Sequence, residues 1–400
     1  RKKEGIIWIG LNVFPPAAPG VRRQDTELSM QDELRRLYLE PTSRCNLRCA
    51  MCFRNSWIGE DTGDMDETTF RRVLDTMPES VETVFFGGMG EPLVHPRITD
   101  MVRAVSETGR RTELLSNGSL LDAERSAALL DAGLDMLWLS VDGLEEEKYQ
   151  SIRKNGHLAV LKEHIFTFNQ LRFALPREVK LGVAFVVMKS NVRNLAALPY
   201  FASYYRVNEV NISHVIPTDA HTEDELLYRN VIGSDFCGDN VPPTAPRLHV
   251  PLMDWTLPDV AQAAAGLFSA GMCEIFLSGQ RLRRPARHCR FIDEGMSFVR
   301  HDGFVSPCMS LLRTSRLYWG GKTRVNQHHF FGNVRQTPLQ IIWNSPDYRA
   351  FRQRVREFEF SPCCRCSQCD NWEHSLPDCY GNDTPTCGAC LWSEGIISCP

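Results

Sequence analysis

The feature that most constrains the fold is a repeated alternation of short apolar segments and amphipathic helical segments between about residue 36 and residue 215. The apolar segments have the length of strands and lie at 37–40, 83–86, 112–115, 136–140, 181–187 and 209–213. The helical segments between them lie at 67–77, 98–108, 123–132, 158–171 and 192–205. Asp66, Gly109 and Gly133 stand where helix caps are expected. Successive strand–helix units predict a parallel sheet with right-handed crossovers. Six units are fewer than the eight of a closed barrel, so we predict an α/β fold built on a partial, TIM-like (β/α)6 barrel.

Length and charge narrow the possible partners. A chain of 400 residues, 43% of them hydrophobic, can form one large domain and a smaller one. The formal net charge of −4 gives no electrostatic case for binding nucleic acid. No apolar run approaches the ~20 residues of a membrane helix, and Asn12 and Pro15 interrupt the N-terminal apolar patch, which argues against a signal peptide. We therefore expect neither a nucleic acid nor a membrane as partner.

The fifteen cysteines are unevenly placed, with three at 45–52, two at Cys237 and Cys273, and ten between Cys289 and Cys399. A secreted disulfide framework is one interpretation. The odd count, the long cysteine-free central region and the repeated C-x-x-C spacings favour ligation of metal ions or clusters instead. Such thiols indicate a reducing cytoplasm. The two isolated cysteines are expected to be ordinary buried thiols.

The first cysteine group, Cys45, Cys49 and Cys52, directly follows the first predicted strand. In folds of this type the active-site groups gather at the carboxyl ends of the strands. Three thiolates on one loop can hold a metal centre and leave one metal position open for a small molecule. A structural zinc knuckle is the alternative, but no further His or Cys stands within twenty residues on either side to complete it.

Glycines and polar residues follow the next strands of the predicted barrel. The second strand is followed by Gly87, Gly88 and Glu91, and glycine permits a positive φ and a close approach of the backbone to a ligand. Asn117 follows the third strand and Asp142 the fourth. Polar groups that face one mouth suit a polar small-molecule ligand. Tight turns, Asx-turns and helix caps are the alternative interpretation.

The C-x3-C-x2-C motif after the first strand of such a series resembles the radical S-adenosylmethionine (SAM) superfamily, and residues 87–91 resemble its GGE segment. The resemblance implies a catalytic [4Fe–4S] cluster on Cys45, Cys49 and Cys52, whose remaining iron is chelated by SAM. The implied SAM contacts are the backbone at Gly87, Gly88 and Glu91 for the ammonium, Ser140 and Arg153 for the carboxylate, and Asn117 or Asp142 for the ribose. Met51 replaces the aromatic residue that members often carry before the third cysteine.

The spacing of Cys289, Gly303 and Cys308 resembles the start of a SPASM domain, the auxiliary-cluster module of many radical SAM maturases. The resemblance implies two auxiliary [4Fe–4S] clusters with four cysteines each. After Cys369 the chain departs from the usual SPASM spacing, so the partition of the cysteines stays open. We expect one cluster on Cys289, Cys308, Cys366 and Cys369, and the other on Cys379, Cys387, Cys390 and Cys399, with Cys363 as a substitute ligand. Two zinc sites are the alternative.

The expected organisation is an N-terminal extension over 1–35, a radical SAM partial barrel over 36–215, a connecting segment over 216–285 and a small SPASM-like domain over 286–400. Bound clusters would supply much of the folding energy of the last region, because its own core is small. Five arginines near its start suit a solvated patch, or the docking of an electron donor such as ferredoxin or flavodoxin: Arg281, Arg283, Arg284, Arg287 and Arg290. His374 is expected to be a surface residue.

The implied function is that of a radical SAM/SPASM maturase, an iron–sulfur oxidoreductase that generates a 5′-deoxyadenosyl radical and abstracts hydrogen from a peptide or protein. The auxiliary clusters would accept an electron or bind the substrate. Residues 385–400 resemble maturases associated with tungsten-cofactor oxidoreductases. Alternatives are a ribosomal-peptide maturase that forms thioether or carbon crosslinks, and a dehydrogenase of a small molecule. An iron–sulfur electron carrier or a zinc-binding scaffold would explain the cysteines, but not the glycines and polar groups at the strand ends.

Overall fold

Six parallel strands form the centre of the protein. The computed structural model describes residues 32–59, 62–228, 247–251, 253–254, 256–262, 274–277, 280–281, 288–361, 363, 373, 377–382 and 387–400. The strands are β1 (Arg36–Leu39), β2 (Thr83–Phe86), β3 (Arg111–Ser116), β4 (Met136–Ser140), β5 (Lys180–Val187) and β6 (Glu209–His214). Each pairs in parallel with the next, so that Leu39 lies opposite Phe86, and Phe86 opposite Leu114. The predicted α/β fold with a central parallel sheet is confirmed.

Helices connect the strands and cover the outer face of the sheet. They are α1 (Glu67–Thr76), α2 (Ile98–Ser106), α3 (Ala123–Asp131), α4 (Glu146–Ile152), α5 (Leu158–Phe173) and α6 (Leu198–Tyr204). The predicted cap Asp66 accepts a hydrogen bond from the Thr69 backbone N–H at 2.7 Å. The helix expected over 192–205 is divided, because a 3-10 helix at Val192–Ala197 precedes α6. Pro199 lies in the first turn of α6 and has no N–H with which α-helical bonding could continue through it.

Three strands of the C-terminal region extend the same sheet beyond β1: β7 (Met296–Val299), β8 (Phe304–Ser306) and β9 (Gly332–Asn333). β7 pairs in parallel with β1, whereas β8 and β9 add antiparallel edges. The strand order of this sheet in the described part of the chain is β9-β8-β7-β1-β2-β3-β4-β5-β6. The sequence interpretation did not include these three strands in the sheet, and the limits of its domains stay a prediction.

The remaining elements are short, apart from one helix that packs on the sheet. The helices are α7 (Ala220–Asp224), α8 (Arg290–Asp293), α9 (Leu339–Trp343) and α10 (Pro346–Glu357). The 3-10 turns are Phe53–Ser56, Pro92–Val94, Met309–Leu311 and Cys387–Ala389. The minor strands are Arg48–Cys49 with Arg153–Lys154, the hairpin Ser315–Trp319 with Lys322–Asn326, and a small sheet of Arg247–Val250, Glu274–Leu277 and Gln280–Arg281. None of the helices described is both long and apolar enough to span a bilayer.

Side chains alternate between the two faces of the sheet, as in any strand. Leu37 and Leu39 of β1 belong to the outer core, into which Phe351 of α10 also packs. Tyr38 of β1 belongs to a second, aromatic cluster on the inner face, where its ring stacks on that of Phe298 with centroids 4.4 Å apart. The inner face and the carboxyl ends of the strands therefore enclose the candidate site. Residues 1–31 of the expected N-terminal extension, Cys237 and Cys273 lie outside the described residues.

Candidate active site

Cys45, Cys49 and Cys52 lie in the loop between β1 and α1, at the carboxyl end of the parallel strands, and all three are partly buried. The middle of this loop is held by a short antiparallel pairing of Arg48–Cys49 with Arg153–Lys154. The Ala50 N–H also donates to the Ile152 carbonyl at 2.8 Å. The segment that follows α4 therefore fixes the cysteine loop above the sheet.

The glycine turn after β2 packs directly against the start of the cysteine loop. The Gly87 N–H donates to the Leu39 carbonyl at 3.0 Å, and Gly88 has a φ of +144°. A Cβ on Gly90 would lie only 2.0 Å from the Thr42 carbonyl oxygen, so a side chain there would force the two segments apart. The turn needs glycine both for its backbone conformation and for this close approach.

Glu91 ends the same turn and joins the ends of β2 and β3. Its carboxylate is fully buried and accepts hydrogen bonds from the Asn117 N–H at 2.6 Å, the Ser116 hydroxyl at 2.8 Å and the Leu93 N–H at 3.0 Å. Burial raises the pKa of Glu91, and these three donors counteract that rise. Because both oxygens are occupied, the side chain of Glu91 positions the turn.

Donors from the loop itself and from two other segments point at the cysteine sulfurs. The Leu47 N–H lies 3.4 Å from Cys45 Sγ, and Asn117 Nδ2 lies 3.8 Å from the same atom. Arg153 Nη1 lies 3.9 Å from Cys49 Sγ. Burial raises the pKa of Cys45 and raises that of Cys49 to about 11, although the Arg153 charge opposes the rise at Cys49. Ligation of iron would reverse this balance, because a coordinating thiol is deprotonated outright.

Arg153 is positioned by a buried ion pair. Its Nη2 lies 2.6 Å from Asp142 Oδ2, and Asp142 Oδ1 accepts the Val186 N–H at 2.7 Å. Burial alone would lower the pKa of Arg153, but the Asp142 charge raises it. Ser140 ends β4 close to this pair. Of the implied SAM contacts, the structure thus brings Arg153, Asp142 and Asn117 to the cysteine loop, with Asn117 Nδ2 also 3.0 Å from Asn46 Oδ1.

This donor set fits a [4Fe–4S] cluster and SAM. Three thiols lie on one loop, and amide and guanidinium donors near two of them stabilise electron-rich sulfur. Arg153 Nε is buried and has no hydrogen-bond partner among the described residues, so a donor is left for an anionic group such as the SAM carboxylate. Among the residues that the structure describes, no three His, Cys, Asp or Glu side chains are arranged to hold a single metal ion. A cluster of four irons is a larger group than such an ion.

The C-terminal region forms a second thiol site. Cys289, Cys308, Cys387 and Cys390 line one apolar cavity together with Phe291, Phe351 and Trp392. Burial raises the pKa of all four thiols, that of Cys289 to about 12, and neighbouring thiols of the group raise it further at Cys289, Cys308 and Cys387. Four thiols that line one apolar cavity fit the ligand set of one fully ligated cluster.

This grouping differs from the expected partition, which separated Cys387 and Cys390 from Cys289 and Cys308. Gly388 gives the physical reason, because a Cβ there would lie 1.7 Å from the Ser361 carbonyl oxygen. The turn Cys387–Ala389 can therefore pack closely on the chain after α10 and reach the cavity, which spacing along the sequence does not reveal.

The other C-terminal cysteines lie apart or outside the described residues. Cys379 is exposed. Cys363 Sγ lies 2.9 Å from the Ser361 hydroxyl and packs on an apolar cluster that also contacts Met51. Cys399 Sγ accepts the Trp392 indole N–H at 3.3 Å, beside the four-cysteine cavity. Cys366 and Cys369, His374 and three of the five arginines (Arg283, Arg284 and Arg287) lie outside the described residues.

Sequence reasoning missed a buried charged group at the end of β1. Glu40 is 1% exposed, and its Oε2 contacts Arg313 Nη2 at 2.5 Å and His301 Nδ1 at 3.1 Å. Arg313 is equally buried, and its guanidinium lies 4.4 Å from the centre of the Trp57 ring. A carboxylate at the end of an otherwise apolar strand was the available signal, but its partners come from the distant C-terminal region.

Two family models match the chain. The model described as "Radical SAM superfamily" matches residues 39–173, and the SPASM model, described as an "Iron-sulfur cluster-binding domain", matches residues 289–370. The first match spans the cysteine loop and the ends of the first four strands. The second begins at Cys289.

Curated relatives match almost the whole chain. The tungsten-containing aldehyde ferredoxin oxidoreductase cofactor-modifying protein of Pyrococcus furiosus is 34% identical over 373 residues, which are 91% of this chain and 96% of that protein. The Fe-coproporphyrin III synthase of Methanosarcina barkeri is 22% identical over 86% of each chain.

Two solved structures share the fold. Streptococcus suis SuiB bound to the precursor peptide SuiA has a TM-score of 0.54 at 16% identity, over 86% of this chain and 72% of that chain. The structure of anSMEcpe with bound AdoMet and the Cp18Cys peptide has a TM-score of 0.53 at 14% identity, over 91% of this chain and 96% of that chain. At these identities the likeness concerns the fold alone.

Proposed function

Because the chain belongs to the radical SAM superfamily, we propose that Cys45, Cys49 and Cys52 hold its SAM-binding [4Fe–4S] cluster. With its SPASM domain it is a radical SAM/SPASM enzyme of the maturase type, which uses SAM and auxiliary iron–sulfur clusters. When bound, the reduced cluster supplies the electron that cleaves SAM to methionine and a 5′-deoxyadenosyl radical, which abstracts hydrogen from the substrate.

One observation carries this assignment to residues: the cysteine loop lies at the carboxyl end of the strands with Asn117 and Arg153 directed at its sulfurs. Arg153, held by Asp142, offers its unpaired Nε to the SAM carboxylate. Gly87 and Gly88 leave the backbone of their turn accessible to the ammonium group. Ser140, Asn117 and Asp142 lie at the strand ends for the remaining polar contacts.

The auxiliary site is assigned to Cys289, Cys308, Cys387 and Cys390, whose shared apolar cavity excludes water from the thiols. Five of the six remaining C-terminal cysteines are candidates for a second auxiliary cluster: Cys363, Cys366, Cys369, Cys379 and Cys399. These residues would position the clusters, while the cofactor itself supplies the redox chemistry.

We propose a peptide or protein as the substrate, in the maturation of a tungsten-dependent oxidoreductase. The name of the Pyrococcus relative, together with its identity over nearly the whole chain, supports this target. The same name supports a second candidate, since a protein that modifies a cofactor acts on a small molecule. Ferredoxin or flavodoxin is the proposed electron donor, and the abundance of free thiols favours the cytoplasm.

Anaerobic reconstitution with iron and sulfide, followed by dithionite and SAM, tests the reaction. We expect 5′-deoxyadenosine from the wild type and none above background from Cys45→Ala. The candidate tungsten oxidoreductase, expressed in deuterated medium, then tests the substrate, because abstraction places deuterium in the 5′-deoxyadenosine. Deuterium transfer only from its extracted cofactor would support the small-molecule candidate. A wild type without SAM cleavage would exclude the proposed reaction.

A further inference from the structure

We infer that Glu40 is a further part of the SAM site, where its free carboxylate oxygen accepts a hydrogen bond from the SAM amino group and Arg313 and His301 hold the carboxylate in place. This inference rests on the proposed function, because it requires SAM at the carboxyl ends of the strands. Glu40 is not one of the cysteines, glycines or polar residues already assigned to the cluster and to SAM.

The position of Glu40 is unusual for a charged residue. It directly follows β1, is 1% exposed and donates its backbone N–H to the Val299 carbonyl at 3.0 Å. A carboxylate buried at this depth needs a cation and several hydrogen bonds, or it destabilises the fold. The question is therefore which groups satisfy each of its two oxygens.

One oxygen is saturated from the C-terminal region. Oε2 contacts Arg313 Nη2 at 2.5 Å, His301 Nδ1 at 3.1 Å and the His301 N–H at 3.4 Å. The His301 ring in turn packs against the loop before α1, since a Cβ on Gly63 would lie 3.0 Å from two of its atoms. These contacts from both sides restrict the rotation of the carboxylate.

The other oxygen, Oε1, is buried and accepts no hydrogen bond from any of the described residues. It faces Gly88, because a Cβ on that glycine would lie 3.2 Å from Oε1 and 3.0 Å from Glu40 Cγ. The free oxygen is thus directed at the glycine turn, whose backbone is the proposed contact of the SAM ammonium group.

The arrangement suits an N–H donor that arrives with a ligand. An unsatisfied buried acceptor destabilises a protein, and a hydrogen bond from a bound ligand removes that penalty. The amino group of SAM keeps N–H donors even when its nitrogen is bound to iron, and the turn carbonyls and Oε1 can each accept one. Arg313 and His301 hold the other oxygen, so Oε1 is already directed at the turn before SAM binds.

Anaerobic calorimetric titration of the reconstituted enzyme with two ligands tests this role. The ligands are SAM and 5′-methylthioadenosine, which lacks the 3-amino-3-carboxypropyl group of SAM. We expect Glu40→Gln to weaken the binding of SAM by about tenfold or more and to leave the affinity for 5′-methylthioadenosine unchanged. Glu113→Gln is the matched control, because Glu113 is similarly buried but pairs with Arg36 at 2.8 Å near the opposite ends of the strands. It should leave both affinities unchanged.

An unchanged affinity for SAM in Glu40→Gln, or an equal loss for both ligands, would overturn the inference and leave Glu40 a structural residue. If the wild type itself fails to bind SAM, the proposed function fails instead. Should Glu40→Gln not fold, Glu40→Asp applies the same comparison, because it keeps the charge but withdraws it from Gly88. A SAM analogue without the amino group completes a thermodynamic cycle of ligand and protein changes. The wild type and the Glu40 variant should bind this analogue with equal affinity.

Discussion

Arg153 Nη1 lies 3.9 Å from Cys49 Sγ, so a buried guanidinium donates to one of the three loop sulfurs. The other end of the same guanidinium is 2.6 Å from Asp142, which fixes its direction. Hydrogen bonds and positive charge next to a cluster sulfur stabilise the reduced, more negative state. The ion pair of Arg153 with Asp142 therefore affects both the stability of the fold and the reduction potential of the proposed cluster.

Replacement of this arginine should affect both properties. In Arg153→Met, Asp142 is left buried and unpaired, and we expect the free energy of unfolding to fall by about 3–5 kcal/mol. The reduction potential of the loop cluster should also fall, because its reduced state loses a donor. Denaturant titration and a redox titration followed by electron paramagnetic resonance measure the two effects.

Arg71→Met is the matched control, since Arg71 is an exposed arginine on α1 that pairs with Glu67 at 2.7 Å at the surface. It should change stability by less than about 1 kcal/mol and leave the potential as it is. A loss of stability in Arg153→Met with an unaltered or raised potential would show that the arginine has only a structural role.

The four-cysteine cavity predicts which cysteines act together. Cys289→Ala, Cys308→Ala, Cys387→Ala and Cys390→Ala should each lower the iron content of the reconstituted protein by about four atoms and remove the same Mössbauer component. Each variant breaks one ligand set in an apolar cavity that cannot recruit a replacement from solvent.

Cys379→Ala provides the comparison, because Cys379 is exposed and away from this cavity. The component that the four variants lose should persist in it. If Cys379→Ala and Cys387→Ala lose the same component while Cys289→Ala keeps it, the partition expected from spacing is right and the grouping seen in the structure is wrong.

A second buried arginine predicts a pH dependence of stability. Arg352 is fully buried on α10 and donates to both oxygens of Asp32, from Nε at 2.8 Å and from Nη2 at 3.0 Å. Burial would raise the pKa of Asp32, but Arg352 and Arg356 lower it below its usual value. The stabilisation is therefore complete above about pH 4, the value for the unfolded chain, and is lost as the pH falls through the lower pKa of the folded state.

Asp32→Asn should lower the free energy of unfolding at pH 7 by about 2–3 kcal/mol, less than for a fully buried pair because Asp32 is one third exposed. Stability curves from pH 7 to pH 3 should converge for variant and wild type. Asp131→Asn, which breaks an exposed pair with Arg103, should leave the stability curve of the wild type unchanged. Parallel curves for Asp32→Asn and wild type would contradict this role of the carboxylate.

Local sequence signals were enough for the parts of the molecule that depend on neighbouring residues. The alternation of apolar and amphipathic segments predicted β1 to β6 and most of the helices, because burial on one side of each element imposes that period. The helix cap at Asp66 was likewise readable from the chain. The helix over 192–205 was partly misjudged, because Pro199 interrupts backbone bonding without interrupting the apolar pattern.

The cysteine loop, the glycine turn and the order of the strands were determined by the sequence, since close spacing brings ligands together whatever the rest of the chain does. The tertiary structure alone decided which distant groups complete the site. Arg153 reaches Cys49 through a short strand pairing. Arg313 and His301 reach Glu40 from the segments that follow β8 and β7, and Cys387 joins Cys289 because Gly388 permits close packing. Such contacts depend on how faces and turns pack in space, and no local period in the sequence records that packing.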